Sequence, residues 1–244
     1  MKLKVFILCL ISSVSMMAQT NSANSWDFSV LNDVSISKKT RVSVKNTGDK
    51  NSLNIGGFGF GFLGTIGAPA EMKTDMSASM EVFFNLFSYG RKYKGGRHQL
   101  NIGTGFNWKN YRMTDYNRFD KDRLNVVVTP YPTDADINFS RLRIFSIMFP
   151  LQYKYKFHKD FALSGAAILN WNVDGSLKTK YNLNGQKVTE KVGRVKYNAA
   201  SIDFRLGLHW RALSAYVKYS PCNVLKSAYG PEFNSFSAGI MIGM

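Results

Sequence analysis

The stretch Phe145-Ser146-Ile147-Met148-Phe149-Pro150-Leu151-Gln152-Tyr153-Lys154-Tyr155-Lys156-Phe157 decides the fold. Phe145, Ile147, Phe149, Leu151, Tyr153, Tyr155 and Phe157 share one face of an extended chain, and Ser146, Gln152, Lys154 and Lys156 share the other. That two-residue period is the mark of a pleated strand with two unlike sides. The alternation recurs in both directions. Upstream, Met76, Ala78, Met80, Val82, Phe84 and Leu86 oppose Ser77, Ser79, Glu81 and Asn85, with Phe83 out of step. Leu100, Ile102, Phe106 and Trp108 then oppose Gln99, Asn101, Gly103, Gly105, Asn107 and Lys109. Downstream, Phe161, Leu163, Ala167, Leu169, Trp171 and Val173 oppose Ser164, Asn170 and Asn172, with Ile168 out of step. Similar runs cover residues 201–210, 213–219 and 236–244, and a glycine-rich run over 53–66 alternates Phe58, Phe60 and Phe62 with Gly57, Gly59 and Gly61. These make eight strands.

No part of the chain after its N-terminal segment offers the ~20 consecutive apolar residues of a transmembrane helix. Strands that enter a bilayer must close into a barrel, because an open edge leaves backbone groups unpaired in hydrocarbon. The bulky apolar face is too large for the bore of eight strands, whereas the opposite face of Gly, Ser, Asn, Gln and Lys fits one. The greasy face therefore looks outward. Trp108, Tyr111, Tyr153 to Phe157, Trp171, Trp210 and Tyr219 near strand ends suit membrane interfaces. Links after the second, fourth and sixth strands are short (89–97, 158–160, 211–212), and those after the third, fifth and seventh are long (114–140, 174–198, 221–233). This parity predicts an all-β, eight-stranded antiparallel up-and-down transmembrane β-barrel over 53–244, with short periplasmic turns and longer extracellular loops.

Residues 1–18 read as an export signal: Lys2 and Lys4 precede the apolar run from Val5 to Val14, and Met16-Met17-Ala18 offer a cleavage site before Gln19. Its removal takes the formal charge from +16 to +14 and leaves Cys222 as the only cysteine, so no internal disulfide is expected. Residues 19–52 read either as a disordered leader or as an extra hairpin, with Val42 and Val44 alternating and a turn signal at Gly48-Asp49. An exported chain of this charge meets anionic lipid headgroups rather than nucleic acid, so outer-membrane lipid is the expected counterpart. The lysines at 178, 180, 187, 191 and 196, with Arg194, flank an Asn184-Gly185 turn that predicts a hairpin rising above the membrane. They face either lipopolysaccharide phosphates or solvent.

The lumenal face gathers Glu81, Lys109, Gln152, Lys154, Lys156, Asp203, Arg205 and Lys218. Buried charges in a narrow bore must pair, since an isolated ion there costs several kcal/mol. A rigidifying polar network is the first reading, and a cationic constriction for small anions the second. His209, with Asp203 on the same strand and Ser214 on the next, is the nearest approach to a hydrolytic pair. Its place near the periplasmic end counts against lipid chemistry at the outer rim, so no catalytic residue is assigned. Scattered histidines and a lone cysteine give no metal site, and no cofactor is implied. The glycines at 57–61 precede no helix and are read as packing room.

Gly105-Phe106-Asn107-Trp108-Lys109-Asn110-Tyr111-Arg112, Phe149 to Phe157, Lys218-Tyr219-Ser220-Pro221, Gly230-Pro231-Glu232 and the ending from Phe236 onward resemble the outer-membrane β-barrel proteins of Bacteroidetes known as PorT-like. The resemblance spans roughly 53–244. It implies an outer-membrane location and passage through the barrel assembly machinery, with no activity attached. Members usually end in an aromatic residue, where this chain has Met244. The expectation is a non-enzymatic outer-membrane barrel with a structural or surface-interaction role. A narrow anion porin and a lipid-modifying enzyme are the alternatives. No specific protein partner is legible.

Overall fold

The computed structural model describes residues 34–37, 41–44, 51–93 and 95–243. The segment 1–18 read as an export signal, and Met244, lie outside them. β1 (Val34–Ser37) and β2 (Arg41–Val44) form an antiparallel pair of their own, and the turn expected at Gly48-Asp49 lies outside the described residues.

The barrel starts two residues earlier than the alternation suggests. β3 (Asn51–Ile55) and β4 (Phe58–Ile66) both pair with β5 (Met80–Tyr93), and together they form one stave interrupted at Gly56-Gly57. Around the barrel follow β6 (His98–Met113), β9 (Asp136–Lys156), β10 (Phe161–Leu183), β12 (Ala200–Trp210), β13 (Leu213–Ser220) and β14 (Asn234–Ile242), each antiparallel to its neighbour. β14 pairs back onto β4, with Ile242 opposite Phe58, and the sheet has no free edge in the barrel. Eight staves close, and the described residues contain no helix.

The two out-of-step residues are inward residues. Phe83 and Ile168 are 0% and 1% exposed and occupy the bore. A bulge between Asn85 and Phe87 then shifts the parity of β5, so Phe87 and Tyr89 point outward and Leu86 loses the outward place expected of it. β5 also begins at Met80 rather than Met76. Asp75 accepts from the Ser77 amide (2.9 Å) and hydroxyl (2.7 Å), and this holds residues 76–78 in a turn where side-chain alternation alone had suggested a strand. β5 instead runs on to Tyr93, past the expected start of the link at Tyr89, so the turn before β6 is shorter than expected.

Phe84, Leu151 and Phe204, expected to face outward, are 38%, 50% and 54% exposed. All eight staves contribute to this belt, including Phe62, Ile102, Leu163, Leu206, Val217 and Ile240. A continuous apolar girdle on a sheet without edges belongs in hydrocarbon, since soluble surfaces keep apolar patches small. Tyr111 departs from its expected interfacial place. It points inward, stacks edge-on against Phe233 at 5.2 Å and donates to the Ser235 hydroxyl at 3.1 Å.

The two ends of the tube differ. Short connections close one end; at the other, β9 and β10 run 21 and 23 residues, roughly twice the ~9–11 needed to cross. β10 continues through Asn184 and Gly185, both at positive φ, into β11 (Gln186–Val192), which is the expected raised hairpin. Within the first long link, 114–140, read from sequence as a loop, β7 (Asn117–Asp122) and β8 (Asn125–Pro130) form a second hairpin.

Candidate functional site

The bore is layered. At the loop end, Leu63, Tyr111, Leu142, Ile144, Phe119, Val126, Leu225 and Phe233 pack into one buried apolar cluster. The β7–β8 hairpin supplies Phe119 and Val126. It is held from inside the wall: the Phe119 amide donates to Ser140 Oγ (2.9 Å), Thr179 Oγ1 donates to the Phe119 carbonyl (3.3 Å), and Arg118 pairs with Glu190 (2.6 Å). Burial opposes the Arg118 charge, but the Glu190 hydrogen bond and carboxylate hold its guanidinium above its ordinary pKa.

Below this plug lies the ion network. Lys109 Nζ sits 2.9 Å from Asp203 Oδ2 and donates to Ser220 Oγ at 2.8 Å. Lys218 pairs closely with Glu81 and lies 3.7 Å from Asp203. Glu81 also accepts from Asn107 Nδ2 (2.8 Å) and Ser237 Oγ (2.6 Å). Five staves thus meet through side chains on one level. The alternating pattern required these residues to face inward, but it could not say that Ser220 and Ser237 would complete the coordination. Their signal was only that each falls on the inward parity of its own strand, Ser220 with Lys218 on β13 and Ser237 between the outward Phe236 and Ala238 on β14.

Beneath the ions, Phe83, Met148, Ile168, Tyr216 and Met241 form a second apolar layer, with Ala166 at its edge. A Cβ on Gly59 would fall inside contact distance of the Phe83 ring, and one on Gly61 inside that of the Tyr216 hydroxyl. Those glycines make room for the layer, as read from sequence. Arg205 lies over the Phe83 ring at 5.3 Å and joins no ion pair among the described residues.

The remaining predicted residues divide. Gln152 is buried and accepts from Asn101 Nδ2 at 3.1 Å, on the turn-end side of the ions. Lys154 is half-buried lower still. Lys156 is exposed among the turns, which is a correction: a lysine at the last position of β9 reaches water rather than the network. His209 is buried with Ser164 Oγ 2.7 Å from Nε2 and Ser214 Oγ 2.7 Å from Nδ1. Asp203, six residues along β12, is roughly 20 Å away and is bound to Lys109. Asp203 therefore does not stand behind His209, whose imidazole is held between the Ser164 and Ser214 hydroxyls. Ser164, on β10, was not anticipated.

The outward face above the belt carries an arrangement that the linear sequence hides. Arg112 is registered opposite Arg141, Arg141 opposite Lys178, and Lys178 opposite Lys191, on β6, β9, β10 and β11 in turn. Like charges in cross-strand register repel. Burial, then Arg143 and Arg112, push the Arg141 pKa down; burial, then Lys180, Arg141 and Lys191, do the same for Lys178. The Phe139 ring, 4.3 Å below Arg112, gives partial relief.

No family profile and no curated protein sequence matches the chain. Among solved structures, it is similar to Ail, the attachment invasion locus protein of Yersinia pestis, at 14% identity and a TM-score of 0.30, covering 80% of this chain and 97% of that one.

Proposed function

We propose that this protein is a non-enzymatic outer-membrane β-barrel whose tube serves as an anchor and whose loop-end structure serves as the interacting surface. The observation that carries this reading is the combination of an apolar outer belt on all eight staves with a bore filled at two levels by buried side chains. A tube filled in this way supports anchoring over transport, and a buried histidine clamped between two serine hydroxyls, with Asp203 engaged by Lys109, gives little support to hydrolysis. In this reading residues 1–18 direct export, the barrel assembly machinery inserts the chain, the turns face the periplasm, and the likeness of 53–244 to PorT-like barrels reflects a shared architecture. The row Arg112, Arg141, Lys178, Lys191 supports lipopolysaccharide phosphates as its surface counterpart, because mutually repelling cations just above a belt are placed for anionic headgroups.

Cell fractionation with gel mobility before and after heating tests the location. Recovery in the outer membrane with heat-dependent mobility is expected; a soluble periplasmic protein of unchanged mobility would falsify the proposal. For the surface row, Arg141→Gln with Lys178→Gln is expected to weaken binding to vesicles containing phosphorylated lipid A. Equal binding by the wild type and the double variant would remove that partner.

A further inference from the structure

Five ionised side chains are buried in the bore: Glu81, Lys109, Asp203, Arg205 and Lys218. The two carboxylates are taken by the two lysines, which leaves Arg205 as an excess cation. It is 2% exposed, and its Nε and Nη1 are buried without a hydrogen-bond partner. A guanidinium buried with unused donors is costly unless something accepts from it.

Arg205 is also the inner wall of a cavity of about 250 Å³ that opens toward the turn end. The lining includes Lys92, Lys154, Asn101 and Gln152, with no carboxylate among them, and Gln152 Nε2 is a second buried donor without a partner. Lys92, Gln99 and Lys154 are shared with a wider vestibule of about 440 Å³, to which Arg97, Lys156, Lys159 and Arg211 add positive charge against Asp160 alone. The approach is thus a cationic funnel ending on unpaired N–H groups. The inner cavity holds about eight waters' worth of space, enough for one partly hydrated small ion and too little for a polymer. Beyond Arg205 the Phe83 layer shuts the way.

We propose that this cavity is a dead-end binding site for one small oxyanion of phosphate size, with Arg205 and Gln152 donating to it and Lys92 drawing it in. The site stands on the cavity alone; only its opening to the periplasm rests on the orientation proposed above.

Titration of the folded full chain in detergent with inorganic phosphate, followed calorimetrically at low salt, tests the assignment. One saturable site is expected, weakened at least about tenfold by Arg205→Gln, the loss of a charge-assisted donor, less by Lys92→Gln, and not at all by Lys226→Gln, an exposed lysine at the loop end away from both cavities. Heat-dependent gel mobility checks that each variant is folded. If Arg205→Gln does not fold, the comparison of Lys92→Gln with Lys226→Gln decides. Absence of saturable binding in the wild type, or equal weakening by Lys92→Gln and Lys226→Gln, overturns the site while leaving the membrane location untouched.

Discussion

Glu81 is held by three side chains at once, Lys218, Asn107 and Ser237, each from a different stave. Glu81→Gln keeps the shape but leaves Lys218 short of its closest counter-charge. The expected cost is about 3 kcal/mol, the lower end for a broken buried pair because Asp203 stays nearby. A urea unfolding midpoint equal to that of the wild type would show that the network does not brace the tube. Asp75 acts at the surface. The Ser77 hydroxyl, despite slight burial, and then Thr114 and the Ser77 and Ala78 amides hold its carboxyl below the usual range. A depressed carboxyl contributes stability above its unfolded value of about 4 and loses it as pH falls through the lower folded value. The Ser77 amide resonance should therefore be constant from neutrality to about pH 4 and move only in stronger acid. Movement beginning near pH 5 would contradict the bond. Phe83 shows what single residues can and cannot disclose: its break in the alternation was visible, yet only the facing Gly59 and Tyr216 reveal it as the floor of an apolar layer.

At the scale of elements, the β7–β8 hairpin is the piece most separable from the barrel. Its grip on the bore is Phe119, 2% exposed among Tyr111, Leu225 and Phe233. Phe119→Ala should cost the plug about 3 kcal/mol and admit trypsin at Arg118, Lys121 or Arg123 while the staves stay resistant. Uncut variant protein would mean that the hairpin is held by its rim alone. The staves themselves were legible because one side meets lipid and the other meets a bore too small for bulk, so selection writes the period plainly. The hairpin was not. Its residues pack inward against other loops, a setting with no fixed period, and its one local signal was the β-branched run Val126-Val127-Val128-Thr129. The bulge at Asn85 and the turn at Asp75 escaped for a related reason, since side-chain polarity continues through both while the backbone does not. The cation row of Arg112, Arg141, Lys178 and Lys191 escaped entirely, because register between strands is set by the whole sheet.

For the whole molecule, two apolar layers with an ion layer between them leave the bore without a continuous wet path. Refolded protein in a planar bilayer is therefore expected to show no steady single-channel conductance above baseline. Reproducible unitary steps, absent from denatured protein, would revive the anion-porin reading and reassign the lumenal lysines to a selectivity role.

The pairing of Phe58 with Ile242 has a consequence for how such a molecule is made. The two strands that seal the cylinder come from opposite ends of its sequence, so every shorter intermediate carries two raw seams of unmatched amides and carbonyls, intolerable in acyl chains. Insertion cannot proceed stave by stave into bare lipid. The staves must cross together or with both seams covered until the last hairpin arrives, and a chain stalled before β14 should stay outside the bilayer rather than drift into it.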